Sequence, residues 1–240
     1  MNKTMIWFYG DIHGNAEGLL SHLRNADVKP SDMVILLGDV GLNYHENQSL
    51  ASIKKTQLEE TGINFLCIHG NHERRPATIP SYQLIDKYDA KVYAEEKYPH
   101  LFFAKDGEIY NLEGYTAIAL GGAYSVDKHY RLAAGWSWFA DEQPSDDIKS
   151  LACKNLVAME WKVDIVLSHT CPEKFIPIES FMPNVDQSTV DRSTEKWLDK
   201  IERRLDYDAW YCGHWHINKR IDRIHFLYDS LECIPERSGE

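Results

Sequence analysis

Apolar runs and amphipathic segments alternate along the N-terminal part of the chain. Residues 4–9, rich in Ile, Trp, Phe and Tyr, predict a buried strand, and the apolar runs at residues 33–37 and 63–68 predict two more. Between these runs, residues 15–26 and 48–60 place their leucines and isoleucines at helical spacing and predict helices. This βαβαβ order predicts parallel strands joined by right-handed crossovers.

The middle of the chain is richer in strand formers. Residues 88–124 contain many aromatic and β-branched residues, with turn signals at Asp106-Gly107 and Glu113-Gly114. This pattern predicts two or three antiparallel strands in hairpins. Residues 146–161 then predict a helix, and residues 163–167 predict a further strand.

The C-terminal part repeats the alternation of helix and strand. A capping-box pattern, Ser188-x-x-Asp191, predicts the start of a helix that runs to about Leu205. Residues 208–212 predict the last core strand, and residues 221–227 predict an edge strand in the tail. No repeat or linker divides the chain, so residues 1–240 are predicted to form one domain.

The charge balance narrows the function classes. The 240-residue chain has a formal net charge of −11. Stable nucleic-acid binding and attachment to an anionic membrane surface both depend on clustered Lys and Arg, so we expect neither. The sequence has no apolar stretch of about 18 residues, and we predict no membrane-spanning helix.

The N-terminal segment and the cysteines favour a cytoplasmic protein. The first residues lack the apolar core and cleavage site of a signal peptide. The five cysteines are scattered without a Cys-x-x-Cys pair, which is typical of a reduced compartment. We therefore expect a cytoplasmic location, and no segment of the chain indicates an obligate protein partner.

Polar clusters follow five of the predicted strands. They are Asp11-Ile12-His13, Gly38-Asp39, Gly70-Asn71-His72-Glu73, Ser168-His169 and Gly213-His214-Trp215-His216. Ligands of parallel sheets collect at the carboxyl ends of the strands. Carboxylate, amide and imidazole groups together suit Mn²⁺, Fe and Zn²⁺. Each cluster alone is an ordinary turn or a structural histidine, but five at strand ends in this order predict a metal site.

These clusters resemble the calcineurin-like metallophosphoesterase superfamily. Its pattern is D-x-H, then G-D, then G-N-H-[DE], then a lone His, then G-H-x-H, and the chain carries every element in that order from Asp11 to His216. The resemblance implies an α/β fold, a four-layer αββα sandwich of two mixed β-sheets flanked by helices. It also implies a hydrolase of phosphoric ester bonds, with the metal site at the carboxyl ends of the strands.

The resemblance implies a role for each motif residue. One cation would be held by Asp11, His13, Asp39 and His216. The second would be held by Asp39, Asn71, His169 and His214. His72 would stand near the leaving-group oxygen as general acid or stabilise the transition state, without binding metal.

Physical reasoning leads to the same reaction class. Two cations ~3.5–4 Å apart can clamp phosphoryl oxygens and lower the pKa of a bridging water, and a shared carboxylate such as Asp39 holds them that close. We predict that a metal-bridging hydroxide attacks a phosphate mono- or diester, a nucleotide among the candidates, while His72 supplies a proton. Mn²⁺ is the leading expectation for both cations, with Fe, Zn²⁺ and Ni²⁺ as alternatives.

A cluster of donors follows Gly121-Gly122 and is the candidate substrate-binding loop. Lys128, Tyr130 and Arg131 are predicted to contact a small phosphorylated substrate. Arg131 is the preferred phosphate contact because a guanidinium binds phosphate bidentately. Nearby, Trp136 and Trp138 either stack on a ring of the substrate or pack on the core. Tyr44 and His45 are expected to line the mouth of the site.

Other functions stay open at this point. Glu73 and Arg75 resemble the phosphoprotein phosphatase and dinucleoside tetraphosphatase branch of the superfamily. That branch continues Gly-Asp with a further Asp-Arg-Gly, whereas Gly38-Asp39 is followed here by Val40-Gly41, which argues against protein phosphatase activity. A nuclease is a second alternative, and the acidic charge argues against it. A non-catalytic metal-binding scaffold is a third, and the complete motif set argues against it.

Overall fold

The predicted parallel strands of the N-terminal part form the centre of a seven-stranded sheet. The computed structural model describes residues 4–44, 48–235 and 237. The strands of this first sheet, numbered in chain order, are Met5–Tyr9 (β1), Met33–Leu36 (β2), Asn64–Cys67 (β3), Gln83–Lys87 (β4), Ala90–Ala94 (β5), Leu101–Ala104 (β6) and Leu231–Pro235 (β13). Their order is β13-β1-β2-β3-β6-β5-β4. The four central strands run parallel, and the outer strands add antiparallel pairs.

A second mixed sheet contains the strands of the C-terminal part. Its members are Ile109–Leu112 (β7), Tyr115–Leu120 (β8), Ile165–Ser168 (β9), Ala209–Cys212 (β10), Lys219–Ile221 (β11) and Ile224–Phe226 (β12). Their order is β11-β12-β10-β9-β8-β7. The strands β8, β9, β10 and β12 are parallel neighbours, and antiparallel strands close both edges.

Helices cover the outer faces of both sheets. The described α-helices are Ala16–Asn25 (α1), Gln48–Glu59 (α2), Lys128–Ala133 (α3), Asp146–Ala158 (α4) and Ser193–Glu202 (α5). Leucines of α1 and α2 pack on the first sheet, and leucines of α4 and α5 pack on the second. The predicted four-layer α/β arrangement is therefore confirmed. No helix in the described ranges is long and apolar enough to cross a membrane.

The two sheets meet face to face through a shared apolar core. Side chains from β1, β2 and β3 pack there against side chains from β8, β9 and β10. At its centre, the rings of Phe8 and Tyr211 stack with centroids 3.7 Å apart. The carboxyl ends of the parallel strands of both sheets lie along one common edge, because hydrogen bonds join residues after β9 and β10 to residues after β2 and β1.

The middle of the chain contains more strands than the sequence pattern predicts. Residues 88–124 contain four strands, β5 to β8, rather than two or three. One of them, β6, pairs in parallel with β3 instead of joining only antiparallel hairpins. The unpredicted β4 is almost entirely solvent-exposed and is held by its antiparallel partner β5, so it carries no apolar alternation.

Two predictions for the C-terminal part are wrong. The helix α5 begins at Ser193, and Ser188 lies in a single 3-10 turn whose hydrogen bonds go to Asp186. The predicted edge strand is a hairpin, in which β12 pairs with β10 inside the sheet and β11 forms the edge. The unpredicted β13 adds to the first sheet beside β1. Long-range pairing decides these cases, because local patterns do not record which strand lies next to which.

The helix α2 is present as predicted, but two of its apolar residues face solvent. Leu50 and Ile53 are exposed, whereas Ala51, Lys55 and Leu58 are buried. The ammonium of Lys55 forms an ion pair with the Glu95 carboxylate at 2.5 Å. A buried, paired lysine therefore occupies a core-facing position of this helix.

Truncation at the sheet–sheet core tests how strongly the two sheets depend on each other. Because Phe8 is fully buried against Tyr211, Phe8→Ala is expected to lower the free energy of unfolding by about 3–5 kcal/mol. Ile53→Ala, at an exposed helix position, should change it by less than about 0.5 kcal/mol. Urea denaturation of both variants measures the difference, and equal effects would contradict the packing described.

Candidate metal centre

The motif residues meet at the common edge of the two sheets. Asp11 and Asp39 follow β1 and β2, and Asn71 follows β3 in the first sheet. His169 and His214 follow β9 and β10 in the second sheet. All except His214 are buried. The clusters that are far apart in the sequence therefore come together at the carboxyl ends of neighbouring strands.

The backbone at this edge adopts a conformation that side chains usually avoid. Five motif residues have positive φ angles, Asp11 (35°), His13 (43°), Asp39 (48°), His214 (67°) and His216 (48°). Left-handed backbone at residues other than glycine is uncommon and clusters at functional sites. Gly70 lets the chain pass close beside Asp39, because a Cβ at Gly70 would lie 2.0 Å from the Asp39 amide nitrogen.

A first group of ligand atoms combines Asp11, His13 and His216. The Nε2 atoms of His13 and His216 lie 3.0 Å apart. His216 Nε2 is 3.4 Å from Asp11 Oδ2, and His13 Nδ1 is 3.9 Å from Asp39 Oδ2. The ligand atoms of Asp11, His13 and His216 lie within 4.8 Å of one another, a separation that one metal ion can bridge.

A second group is centred on the fully buried His169. Its Nδ1–H donates to the Leu37 carbonyl oxygen at 2.8 Å, which turns Nε2 towards the site. Nε2 lies 2.8 Å from Asn71 Oδ1 and 3.4 Å from Asp39 Oδ1. The ring of His214 is 5.0 Å from the His169 ring, centroid to centroid. Asp39 thus reaches both groups, one with each carboxylate oxygen.

The two buried carboxylates and His169 influence one another's charge. Burial, together with the nearby Asp39 carboxylate, raises the pKa of Asp11 to about 8 against the opposing effect of His169. Burial would also raise the pKa of Asp39, but His169 and its hydrogen bond hold that pKa well below its usual range. For His169, burial lowers the pKa, and the Asp39 and Asp11 carboxylates raise it to about 9 on balance.

The remaining imidazoles are held in the neutral form that binds metals. Burial lowers the pKa of His13 and His214, and it lowers the pKa of His216 to about 4.

Two further features of the motif residues fit a bound cation. Asp11 Oδ1 is buried without a hydrogen-bond partner. His169 Nε2 faces the acceptor oxygen of Asn71 and so carries a proton that a cation would replace.

His72 lies between the metal-ligand groups and the open part of the site. Its backbone N–H donates to Asp39 Oδ1 at 2.8 Å. Its Nε2 is 4.0 Å from Asp127 Oδ1, and burial lowers the pKa of its imidazole. One of its ring nitrogens also lies within 4.8 Å of ligand atoms of His13 and Asp39, so His72 is close to the metal-ligand groups as well as to the open site.

Two cavities open beside His72. One, of about 260 Å³, is lined by His13, Gly41, Tyr44, Lys54, His72, Asp127, Arg131 and Trp136. The other, of about 240 Å³, extends from Asp39, Asn71 and His214 to Phe181 and Trp215. Arg131 is only 1 % exposed, its guanidinium lies over the Tyr44 ring, and its Nη2 has no hydrogen-bond partner. A free guanidinium edge in the first cavity suits an anionic group.

The motif residues assembled at this edge match a known family. The family model for calcineurin-like phosphoesterases matches residues 4–218. The chain belongs to this family. It is accordingly a metal-dependent phosphoesterase in general terms, a hydrolase that acts on phosphoester bonds with divalent metal ions. The resemblance found in the motifs is confirmed.

Solved structures share the fold of this calcineurin-like phosphoesterase at low sequence identity. The protein TT1561 of Thermus thermophilus is 12 % identical, with a TM-score of 0.55 over 98 % of this chain and 100 % of that one. Another solved structure is 11 % identical, with a TM-score of 0.56 over 98 % and 95 % of the two chains. At these identities the likeness shows the fold alone. No curated protein matches the chain at a significant level.

A hydrogen-bond network that the sequence did not indicate orients Asn71 in this calcineurin-like phosphoesterase. Asn71 Nδ2 donates to Ser125 Oγ at 2.8 Å, and Ser125 Oγ donates to Glu142 Oε2 at 2.6 Å. Trp138 Nε1 donates to the same Glu142 oxygen at 2.8 Å. The network turns Asn71 Oδ1 towards His169. Ser125 and Glu142 belong to no motif, and the glycines at 121 and 122 were the one local signal near them.

Two of the predicted substrate contacts, Lys128 and Tyr130, line neither cavity. The ammonium of Lys128 sits 3.8 Å from the centroid of the Trp138 ring. Tyr130 is 64 % exposed and packs edge-on against Trp136. Of the three, Arg131 alone lines a cavity beside His72. Tyr44 lines that cavity too, whereas His45 lies outside the described residues.

Metal binding should stabilise the protein through the buried carboxylates. With free Mn²⁺ at about 100 times its dissociation constant, the free energy of unfolding is expected to rise by about 2.7 kcal/mol, and Asp39→Asn should remove most of that rise. Asp32, a buried carboxylate outside the metal centre, serves as the control, and it accepts hydrogen bonds from the backbone N–H groups of Met5 and Lys29. Asp32→Asn should lower stability but keep the rise. Thermal unfolding with and without Mn²⁺ measures the rise in the free energy of unfolding. The same rise in Asp39→Asn as in the wild-type protein would contradict this metal site.

The Ser125 network should matter for metal affinity. Ser125→Ala removes the acceptor that orients the Asn71 amide and is expected to weaken Mn²⁺ binding about 10–100-fold. Ser145 caps α4 by accepting from the Ile148 amide, so Ser145→Ala should cost stability and leave metal affinity unchanged. Calorimetric titration with Mn²⁺ compares the two, and unchanged affinity in Ser125→Ala would show that the network does not position Asn71.

Proposed function

We propose that this chain hydrolyses a phosphate mono- or diester at a centre that holds two divalent cations. One observation carries the proposal: Asp39 reaches both groups of ligand atoms, with Oδ2 near His13 and Oδ1 near His169. A carboxylate placed in this way suits a pair of cations that share it. Asp11, His13, Asp39 and His216 would hold one cation, and Asp39, Asn71, His169 and His214 would hold the other.

The bound cations supply Lewis-acid activation of the phosphoryl group and of water. Residues around the cations position the ligands. The backbone N–H groups of His72 and His214 orient Asp39 and Asp11 respectively, because each donates a 2.8 Å hydrogen bond to one carboxylate. Backbone donors orient a carboxylate and favour its ionised form, and at Asp11 the hydrogen bond from His214 opposes the rise in pKa that burial causes.

His72 is proposed to give a proton to the leaving-group oxygen. The imidazole borders both cavities and is therefore next to any ester group placed there. The Asp127 carboxylate, 4.0 Å from Nε2, favours the protonated imidazole that a general acid needs. The lowered pKa that burial imposes on His72 makes the imidazolium a strong proton donor.

Arg131 is proposed to bind a phosphoryl oxygen of the substrate through its guanidinium group. Its guanidinium is buried within the cavity beside His72, and Nη1 lies 3.9 Å from Asp127 Oδ1. Its Nη2 has no hydrogen-bond partner within the protein. A guanidinium that is held on one edge and free on the other suits bidentate contact with phosphate.

The biological setting of the reaction is proposed from chemistry. Mixed carboxylate, amide and imidazole ligands suit Mn²⁺, Fe and Zn²⁺; Mn²⁺ is the cation proposed first, and Ni²⁺ is a further candidate. The five cysteines are free in the structure, as is typical of a reducing cytoplasm. The partner is proposed to be a small phosphorylated molecule, because the cavities beside His72 are of about 240 and 260 Å³.

Turnover of two chromogenic esters tests the proposed activity. Metal-stripped protein refilled with Mn²⁺ is assayed on p-nitrophenyl phosphate and on bis-p-nitrophenyl phosphate. Mn²⁺-dependent hydrolysis that disappears in Asp39→Asn supports the two-cation centre, and the ratio of the two rates separates monoester from diester preference. Absence of turnover in protein shown to bind no metal would refute the proposal.

The role of His72 predicts a dependence on the leaving group. His72→Ala should slow hydrolysis of an alkyl ester by about 10²–10⁴-fold, because a poor leaving group needs a proton. It should slow a p-nitrophenyl ester much less. His129 is an exposed histidine on α3, and His129→Ala should leave both rates unchanged. The measurement is the steady-state kcat of each variant on the two ester types. An equal reduction of kcat on both esters in His72→Ala would argue against acid catalysis by His72.

A further inference from the structure

We propose that the cavity between His72 and Phe181 binds the aromatic ring of the substrate, a planar heterocycle with an N–H donor, as in a nucleobase. This inference rests on the proposed phosphoesterase function, because the cavity opens onto the same Asp39, Asn71 and His214. The phosphate would lie at the ligand groups and the ring would lie in the cavity.

The cavity is apolar where it leaves the motif residues. Its apolar lining consists of Tyr124, Val126, Phe181, Met182, Val185, Val190 and Trp215. Met182 is 57 % exposed, and Val126 is exposed as well. Apolar side chains exposed together beside a polar centre are typical of a ligand-binding surface.

A long irregular connection supplies most of this lining. Residues 169–192 join β9 to α5 and contain only three single turns of 3-10 helix, at Glu173–Phe175, Ile178–Ser180 and Gln187–Thr189. Connections longer than about 12–15 residues without secondary structure are uncommon in folded domains and usually serve binding. The connection thus extends the site well beyond the motif residues.

Aromatic groups form the wall against which a ring would stack. The rings of Phe181 and Trp215 lie with centroids 6.1 Å apart at an interplanar angle of 37°. The Arg192 guanidinium lies 5.5 Å from the centroid of the Phe181 ring and donates to Gln187 Oε1 at 3.2 Å. Aromatic and guanidinium surfaces of this kind stack on bases of every type.

A buried carboxyl provides the polar contact. Glu195 lines the cavity and is 4 % exposed. Its Oε1 accepts from Thr170 Oγ1 at 2.9 Å, while Oε2 is buried without a hydrogen-bond partner. An unpaired buried acceptor is costly, and an N–H donor on a bound ring would satisfy it. Burial also raises the pKa of Glu195 to about 7.

The size of the cavity favours a ring over an extended group. Its volume of about 240 Å³ lies below the ~300–1,000 Å³ of pockets that enclose drug-sized ligands. A long acyl chain or a peptide would project from it, and the acyl chain has no donor for Glu195. A single heterocycle can use both the aromatic wall and the acceptor.

Equilibrium binding tests the proposal without relying on turnover. Mn²⁺-loaded protein is titrated by calorimetry with non-hydrolysable phosphonate analogues of AMP and of ribose 5-phosphate, which differ by the base. The AMP analogue should bind at least about tenfold more tightly. Phe181→Ala and Glu195→Gln should each bring the two affinities closer while leaving that of the ribose analogue unchanged. Equal affinities in the wild-type protein would overturn the proposal.

Matched variants and a third ligand sharpen the test. Ile178 lies in the same connection, is 73 % exposed and does not line the cavity, so Ile178→Ala should keep the full preference. Met182→Ala changes an exposed side chain and should reduce the preference without unfolding risk. An n-hexyl phosphonate that binds as tightly as the AMP analogue, and equally well to Glu195→Gln, would overturn the heterocycle in favour of a general apolar site.

The outcome is separable from that of the proposed function. Turnover of bis-p-nitrophenyl phosphate without a preference for the AMP analogue would retain the phosphoesterase and refute the ring site. A preference for the AMP analogue that depends on Phe181 and Glu195, in protein that binds no metal and hydrolyses neither chromogenic ester, would retain the ring site and refute the reaction.

Discussion

Backbone amides hold two buried carboxylates where the two sheets meet, and the site is built around them. Asp39 Oδ1 accepts from the amide of His72, which ties the end of β2 to the end of β3. Asp11 Oδ2 accepts from the amide of His214, which ties the first sheet to the second. His169 donates back across the same boundary to Leu37. These cross-sheet bonds require the sheets to align their carboxyl ends.

Such an edge is intrinsically unfavourable for folding. Two carboxylates are buried close together, and several motif residues hold left-handed backbone. The apolar core between the sheets supports this arrangement, with Phe8 on Tyr211 at its centre. A bound divalent cation would add to that support, because it would offset the repulsion between the Asp11 and Asp39 carboxylates. We therefore expect metal binding to be linked to folding stability.

The two sides of the site come from different connections and have different chemistry. The segment after β8 places Ser125 and Arg131 beside the motif residues and so provides a polar, cationic side. The connection between β9 and α5 provides an apolar side with Phe181, and the first turn of α5 adds Glu195, whose Oε2 has no hydrogen-bond partner. Loops on a rigid scaffold commonly carry specificity in this manner. A phosphate with an attached ring matches this division.

The order of the motifs in the sequence indicated the family, and the resemblance to that family implied the four-layer fold. Strand periodicity and the glycine-containing turns are local signals, and parallel strands must bring their carboxyl ends to one edge. The motif residues, from Asp11 to His216, could therefore be assigned to one site from their order and spacing in the chain. The exposed β4 and the added β13 could not be predicted from local sequence patterns. Each is a strand because of its pairing, β4 with β5 and β13 with β1, and a local pattern does not show such pairing.

Tertiary structure alone decided the surroundings of that site. It turned Arg131 into the cavity and Lys128 onto Trp138, although both belong to one short helix. It also joined Ser125 to Asn71 and placed Glu195 in the cavity that Phe181 and Trp215 line. Each of these outcomes depends on contacts between segments far apart in the chain. Side-chain direction and long-range packing set such contacts, and no spacing within the sequence records them.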